Sequence, residues 1–400
     1  MRNPSLGTPM TNNATKVLLL GSGEIGKELT LSFQRLGLEV HAVDRYEHAP
    51  AHQSAHYSYI ADICDPQQVE MLIDKVQPDF IVPEIETVAT EALRRAEEDG
   101  RAVVVPTAKA CELTLSREGI RRVASEELGL PTTAYRFAAT VEEAQDAAEE
   151  LGFPCIVKPA ISTSGRGHTL VEAPEEIERA WHDAFEPHSI DPQVVVERFV
   201  NFDYEVTILA VRSIDPNTGE LATWFCEPIG KRHSLGRLVE FWQPAPMSEG
   251  AMDNARSMAA RITNALGGRG VYGVELFVAG DDVYFSSVTP RPHDTGALTT
   301  STQRFSEFDL HARAIMGLPI DVTLTSPGAA RFVHSSESLD TVSYLGVSTA
   351  LAVPETEVRL FGKPNAYPGR RMGIVVSTAD TIGQARQRAE AADRVITVGP

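Results

Sequence analysis

Between residues 16 and about 115, short apolar runs alternate with stretches of helical periodicity. Lys16-Val17-Leu18-Leu19-Leu20, Glu39-Val40-His41-Ala42-Val43, Phe80-Ile81-Val82 and Ala102-Val103-Val104-Val105 carry almost no polar interruption, as strands buried on both faces of a parallel sheet do. A helix is expected after the first of them, so this part reads as an open α/β unit. Near Ser116-Arg117-Glu118-Gly119-Ile120-Arg121-Arg122 the pattern turns helical, and a second αβ unit follows with strands at Cys155-Ile156-Val157-Lys158-Pro159 and Val194-Val195-Val196-Glu197. From Glu205 to about 320 the pattern is antiparallel strands with helices such as Ala251 to Leu266, and a strand-rich lobe with a closing helix, Thr381 to Ala392, ends the chain. The expected division is a Rossmann-like domain over 1–120, a central domain over 121–320 and a small C-terminal lobe over 321–400.

The most informative stretch is Gly273-Val274-Glu275-Leu276-Phe277-Val278, an acidic turn at Gly280-Asp281-Asp282, and Val283-Tyr284-Phe285-Ser286-Ser287-Val288 running into Pro290-Arg291-Pro292-His293-Asp294-Thr295-Gly296. Two β-rich runs joined by a three-residue turn pair antiparallel, and with Ala279 opposite Val283, Glu275 falls opposite Ser287 on the same face. A carboxylate in an otherwise apolar strand is expected to meet a cation or a hydrogen-bond network. Magnesium between the carboxylate and nucleotide phosphates is one candidate; an edge-strand Glu facing water is the plainer one.

Gly21-Ser22-Gly23-Glu24-Ile25-Gly26 lies between the first strand and its helix, and Asp44 ends the second strand. This is a dinucleotide fingerprint in its proper context. Its physics serves any anion at a helix N-terminus, so a nicotinamide cofactor and a phosphorylated substrate both remain open. Glu24 would oppose a pyrophosphate and suit an amine or hydroxyl, and Pro83-Glu84-Ile85-Glu86 puts two more carboxylates on the same sheet edge. Lys158 ends an apolar strand ahead of Ser162-Thr163-Ser164-Gly165-Arg166-Gly167-His168, a loop able to close over phosphates or merely a solvated turn. Val194 to Val200 could offer strand-edge amides and carbonyls to a nucleobase, or be a core strand. Arg370-Arg371, with Lys363 in Phe361-Gly362-Lys363-Pro364, reads as a phosphate clamp or a solvated basic patch. His293, between prolines and Asp294, suits a structural hydrogen bond better than acid–base work.

Of the 400 residues 42% are hydrophobic, so cores of ordinary size are expected, and the net charge of -19 excludes a general binder of nucleic acid or anionic membrane. Cys64, Cys111, Cys155 and Cys226 are scattered without a C-x-x-C pair, as reduced core thiols are. No apolar run reaches the roughly 20 residues of a bilayer span and Met1 to Thr15 is polar, so a cytoplasmic protein is expected.

Taken in order, Leu6-Gly7-Thr8-Pro9, Leu20-Gly21-Ser22-Gly23-Glu24, Ala42-Val43-Asp44-Arg45-Tyr46, Val82-Pro83-Glu84-Ile85-Glu86, Arg117 to Arg122, Tyr135-Arg136-Phe137, the Lys158 strand, Pro290 to Gly296 and Phe361 to Pro364 resemble the ATP-grasp superfamily, and within it the formate-dependent phosphoribosylglycinamide formyltransferase family of purine biosynthesis. The resemblance implies a pre-ATP-grasp domain that binds substrate, an ATP-grasp domain with 121–200 as its lid, and a homodimer. It implies that ATP phosphorylates formate to formyl phosphate, which the amine of glycinamide ribonucleotide then attacks. By position, Arg117, Lys158, Thr163, Ser164, Gly165, Arg166, Gly167, His168, Glu197, Arg198, Phe199, Val200 and Glu205 would hold ATP. Glu24, Ile25, Glu84, Asp294, Lys363, Arg370 and Arg371 would hold the ribonucleotide, Lys158 and Asp294 would serve catalysis, and Glu275 would bind Mg2+. Two departures stand out: Ser287 occupies the place of a second magnesium-binding Glu, and Arg166 stands where Lys is usual. Carboxyaminoimidazole ribonucleotide synthase shares the Pro-Arg-Pro-His run but normally continues Asn-Ser-Gly, unlike Asp294-Thr295-Gly296. A nicotinamide-dependent dehydrogenase built on Gly21 to Asp44, and a nucleotide-binding protein without catalysis, complete the alternatives.

Overall fold

The computed structural model describes residues 6–115, 117–160, 167–184, 193–234 and 237–400. The first sheet holds β1 (Lys16–Leu20), β2 (Glu39–Asp44), β3 (Tyr57–Ile60), β4 (Phe80–Pro83) and β5 (Val103–Val104), all parallel in the order β3-β2-β1-β4-β5. Alternation along β1 sends Leu18 and Leu20 into one core and Val17 and Leu19 into another, which is why the run has no polar position to spare. β3 escaped the pattern reading: Tyr57-Ser58-Tyr59-Ile60 is a mostly exposed edge strand with a single neighbour, so nothing forces its residues to be apolar. The helix Glu307–Ile315 places Phe308, Ala312 and Ile315 in the Val17 core, locking this domain to the centre of the molecule.

The second sheet is β6 (Tyr135–Ala138), β7 (Cys155–Pro159), β8 (Thr169–Val171) and β9 (Val194–Arg198), antiparallel in the order β6-β9-β7-β8. Thr140 caps the helix Val141–Leu151, which covers one face. The strand-edge expectation for Val194 to Glu197 is corrected here. β9 is paired on both sides, so its backbone groups serve the ladders, and only residues past its end can turn polar atoms to a ligand.

The third sheet joins β10 (Tyr204–Ile214), β11 (Leu221–Phe225), β12 (Ile229–Ser234), β13 (Arg237–Gln243), β14 (Gly270–Ala279), β15 (Asp282–Thr289) and β16 (Gly328–His334). After β17 (Ser343–Leu345) come β18 (Thr356–Leu360) and β19 (Arg371–Thr378) in the same sheet, and β20 (Thr397–Gly399) pairs with β17. The sheet order is β15-β14-β10-β12-β13-β16-β19-β18, with β11 paired to β10 off this path, so β16, β18 and β19 of the last eighty residues extend the central sheet through the β13–β16 pairing. The helix Glu249–Leu266, capped by Ser248, packs on one face with Tyr272, Val274 and Phe285. The closing helix Ile382–Asp393 is capped by Thr381. No helix of the described residues is long and apolar enough to cross a membrane. Cys111, Cys155 and Cys226 are buried, Cys64 is exposed, and all four are free thiols.

The β14–β15 hairpin reaches the expected pairing by an unexpected route. Ala279 faces Asp282, not Val283, so the turn is Gly280-Asp281, with Gly280 at φ +62. Ser286 is then an extra residue on β15: Leu276 faces Phe285, but Glu275 faces Ser287. A one-residue bulge offsets a turn one residue shorter than expected.

Candidate functional site

The carboxyl edge of the first sheet, the end of β7, the exposed face of β10, β12, β14 and β15, and the start of β19 surround one cleft of about 710 Å³. Glu24, Ile25 and Glu84 line it on one side, Lys158, His168 and Phe199 on another, and Glu205, Lys231, Glu275, Ser287, Arg291, Asp294 and Arg371 along its floor.

At the first-sheet end, the glycine loop is already engaged by carboxylates of the chain itself. Ser22 N–H donates to Asp44 Oδ2 at 2.9 Å and Gly23 N–H to Glu84 Oε1 at 2.8 Å. The Glu84 side chain runs through the space the glycines leave open: a Cβ on Gly21, which has φ +102, would lie 2.7 Å from Glu84 Cγ. These glycines therefore make room for a carboxyl group, and the Ser22 and Gly23 amides that face a pyrophosphate in a dinucleotide site are committed to carboxylates, which weighs against the dehydrogenase alternative. Burial, the Gly23 N–H notwithstanding, and the charges of Glu24, Asp44 and Glu86 push the Glu84 carboxyl up to about 8. At neutral pH Glu84 carries a proton.

Opposite it the charges alternate. Lys363 Nζ lies 2.7 Å from Glu24 Oε2, and Arg371 meets Asp294 Oδ2 at 2.5 Å. Burial would raise Asp294, but the Arg371 guanidinium holds it below the usual carboxylate range. Arg370 does not line the cleft with Arg371: it donates to the Asn365 carbonyl at 2.9 Å, sits over the Tyr367 ring, and acts on the Tyr46 hydroxyl only through its charge. His293 accepts the Thr295 N–H at its Nδ1, the structural hydrogen bond expected of it, and its Nε2 lies 3.5 Å from Glu275 Oε1.

At the β7 end, Lys158 Nζ is 2.7 Å from Glu197 Oε2, and Arg121 NH2 is 2.6 Å from Glu197 Oε1. All three side chains are buried, so Glu197 compensates two cations and fixes the Lys158 ammonium at the cleft wall. Of the residues expected to hold ATP, Lys158, His168, Phe199 and Glu205 line the cleft, whereas Glu197 stands behind Lys158 and the Arg198 side chain is exposed. Gly167 and Val200 flank the lining residues. Thr163, Ser164, Gly165, Arg166 and the Arg117 side chain lie outside the described residues.

The floor is a patch of cross-strand neighbours. Glu205 faces Lys231 across β10–β12, Thr207 faces Glu275 across β10–β14, and Glu275 faces Ser287 across β14–β15. Lys231 Nζ bonds Glu275 Oε1 and lies 3.5 Å from Glu205 Oε2, while Ser287 Oγ donates to Glu275 Oε2 at 2.5 Å. Burial would raise Glu275, yet Lys231 and His293 hold it well below the carboxylate range; burial would lower Lys231, yet Glu275 and Glu205 hold it above the usual lysine range. Glu275 thus meets the cation that its place in an apolar strand demands, and the cation is a lysine.

Pattern reading missed Lys231, Arg121 and Arg291. Lys231 sits in Ile229-Gly230-Lys231-Arg232, where only the β10 pairing shows that it faces Glu205. Arg291 was visible within the Pro290 to Gly296 run but carried no assigned role. Its side chain is almost wholly buried, its NH2 is 3.2 Å from Glu86 Oε1, and its Nε and NH1 have no hydrogen-bond partner among the described residues.

Comparison with known proteins agrees with the three-part fold. The ribonucleotide synthetase preATP-grasp domain matches residues 14–114, the ATP-grasp domain 123–308, and the PurT C-terminal domain 328–396. The chain is 60% identical over 394 residues to the formate-dependent phosphoribosylglycinamide formyltransferase of Corynebacterium efficiens, covering 98% of each. It superposes on a solved structure of glycinamide-RNase-transformylase T from Mycobacterium tuberculosis with a TM-score of 0.80 at 39% identity, covering 96% of this chain and 100% of that one. N5-carboxyaminoimidazole ribonucleotide synthetase from Thermus thermophilus shares the fold with a TM-score of 0.81 at 28% identity, over 95% and 98% of the two chains. The chain therefore belongs to the formate-dependent phosphoribosylglycinamide formyltransferase family, whose members are ATP-grasp enzymes.

Proposed function

We propose that this protein formylates glycinamide ribonucleotide with formate, at the expense of ATP, through formyl phosphate. The observation that carries this reading is that one cleft joins the Lys158–Glu275 floor to the Glu24–Arg371 end, so a phosphoryl donor and an amine-bearing phosphate ester can meet inside it. ATP would lie between the second and third sheets, its phosphates reaching Lys158. A formate oxygen attacks the γ-phosphorus, ADP departs, and the amine nitrogen attacks the formyl carbon of the resulting formyl phosphate, expelling phosphate. Lys158 neutralises charge on the transferring phosphoryl group, held in place by Glu197. Arg371 and Lys363 take the ribonucleotide phosphate, Arg370 stays turned toward Asn365, and Ile25 gives the sugar an apolar contact. Asp294, held ionised by Arg371, accepts a hydrogen bond from the amine and orients it. So weak a base does not keep the amine proton, which leaves with the phosphate.

Magnesium is a finer matter. The family resemblance expects a pair of carboxylates; here Ser287 supplies a neutral hydroxyl, and both Glu275 oxygens already have partners. Among the described residues no group of three or more His, Cys, Asp or Glu side chains could hold a metal ion. This donor set does not fit a resident metal at Glu275, and no step is routed through one. The same reading takes the protein as a cytoplasmic homodimer.

ADP release tests the function. It should require formate and glycinamide ribonucleotide together, with either omission reducing it to background. Undiminished ADP release without formate, or hydride transfer to a nicotinamide in its place, would refute the assignment.

A further inference from the structure

The proposed reaction needs positive charge where the triphosphate meets the β-sheet floor, and the fold holds one there permanently. Lys231 is only 6% exposed at its side chain, lines the cleft, and lies between Glu205 Oε2 at 3.5 Å and the Glu275 carboxylate with which it is directly paired. His233 Nδ1, 3.5 Å from Glu205, and His293 Nε2, 3.5 Å from Glu275, complete the ring of groups around it. Such an ammonium cannot swing out to solvent without stranding two carboxylates.

We propose that Lys231 is a built-in cation that takes over the charge of the divalent ion otherwise held at the Glu275–287 position, so that the only metal the protein needs is the one the nucleotide brings. The charge balance supports this. Glu205, Glu275 and Lys231 together carry one net negative charge, with Ser287 neutral. A carboxylate at 287 and a neutral side chain at 231 would leave three. The difference is two elementary charges, that of a divalent cation. Geometry agrees: the Glu275 oxygen free of Ser287 is the one Lys231 occupies, so a metal arriving there would have to displace the ammonium or sit against it. A lysine ammonium has three donors, which leaves one for a phosphate oxygen while it keeps its two carboxylate partners.

This inference rests on the cleft being an ATP site, and its test separates the two ideas. Manganese bound to the ATP complex is counted by electron paramagnetic resonance, and ATP affinity is measured by calorimetry in EDTA. The wild-type protein should hold one Mn2+ per ATP and retain measurable ATP binding in EDTA. K231M should lose that metal-free binding by about tenfold or more, while K231R keeps most of it. K231M/S287E, which restores two carboxylates and removes the ammonium, should bind a second Mn2+ per ATP. Two Mn2+ in the wild-type complex would overturn the proposal, as would metal-free ATP affinity unchanged in K231M. Should K231M fail to fold, the wild-type manganese count still decides. If ATP binds as described but formate-dependent ADP release is absent, the functional assignment fails and the cation assignment stands.

Discussion

Replacing Glu84 by Gln isolates the effect of a carboxyl group buried against a glycine loop. The Glu84 side chain is 6% exposed, accepts from the Gly23 N–H at 2.8 Å, and is surrounded by Glu24, Asp44 and Glu86, so its folded-state titration is displaced upward to about 8. In the unfolded chain the same group ionises near ~4.3. Between those two values the native state keeps a proton that the unfolded state has released, so native stability falls as pH rises through this window. The slope for one such group is about 1.4 kcal/mol per pH unit, and the whole window amounts to a ceiling of about 5 kcal/mol, which local relaxation lowers. Gln has the same shape, still accepts from Gly23, and does not titrate. E84Q and wild type should therefore differ least in urea midpoint at pH 5, and E84Q should gain progressively to pH 8, by about 2 to 4 kcal/mol. Urea unfolding of both proteins at pH 5, 6, 7 and 8 makes the comparison. Curves that run parallel across that range would refute the displaced titration and with it the claim that the glycine loop encloses a neutral acid.

Two further outcomes follow from the ion pairs. E197Q removes the carboxylate charge that buried Lys158 and Arg121 both pair with, and a loss of about 3 to 5 kcal/mol is expected, read as a lower melting temperature together with weakened ATP binding. R371A removes the partner of Asp294 and the proposed phosphate ligand at once, so KM for the ribonucleotide should rise about tenfold or more in steady-state kinetics while ATP affinity, measured separately, stays put.

The α/β strands of the first sheet were legible because they are buried on both faces, and β3 was not because an edge strand owes nothing to that rule. The pairing of Glu275 with Ser287 was legible too, although through an assumed three-residue turn; the chain uses two residues and a bulge at Ser286, a combination that alternation alone cannot distinguish. The glycine motif announced a tight turn beside a ligand site but not its occupant, since glycines open space equally for a pyrophosphate and for the Glu84 side chain.

Taken alone, the order of residues determines which segments are strands buried on both faces, that carboxylates gather at one sheet edge, and that an arginine pair lies in the last lobe, because these follow from local alternation and from charge. Only the tertiary structure decides that Lys231 neutralises Glu275, that Glu197 stands behind Lys158, and that Arg370 turns aside while Arg371 reaches Asp294. Ion pairs between strands distant in sequence depend on register and sheet order, and those are set by the packing of whole cores and leave no mark on any single segment.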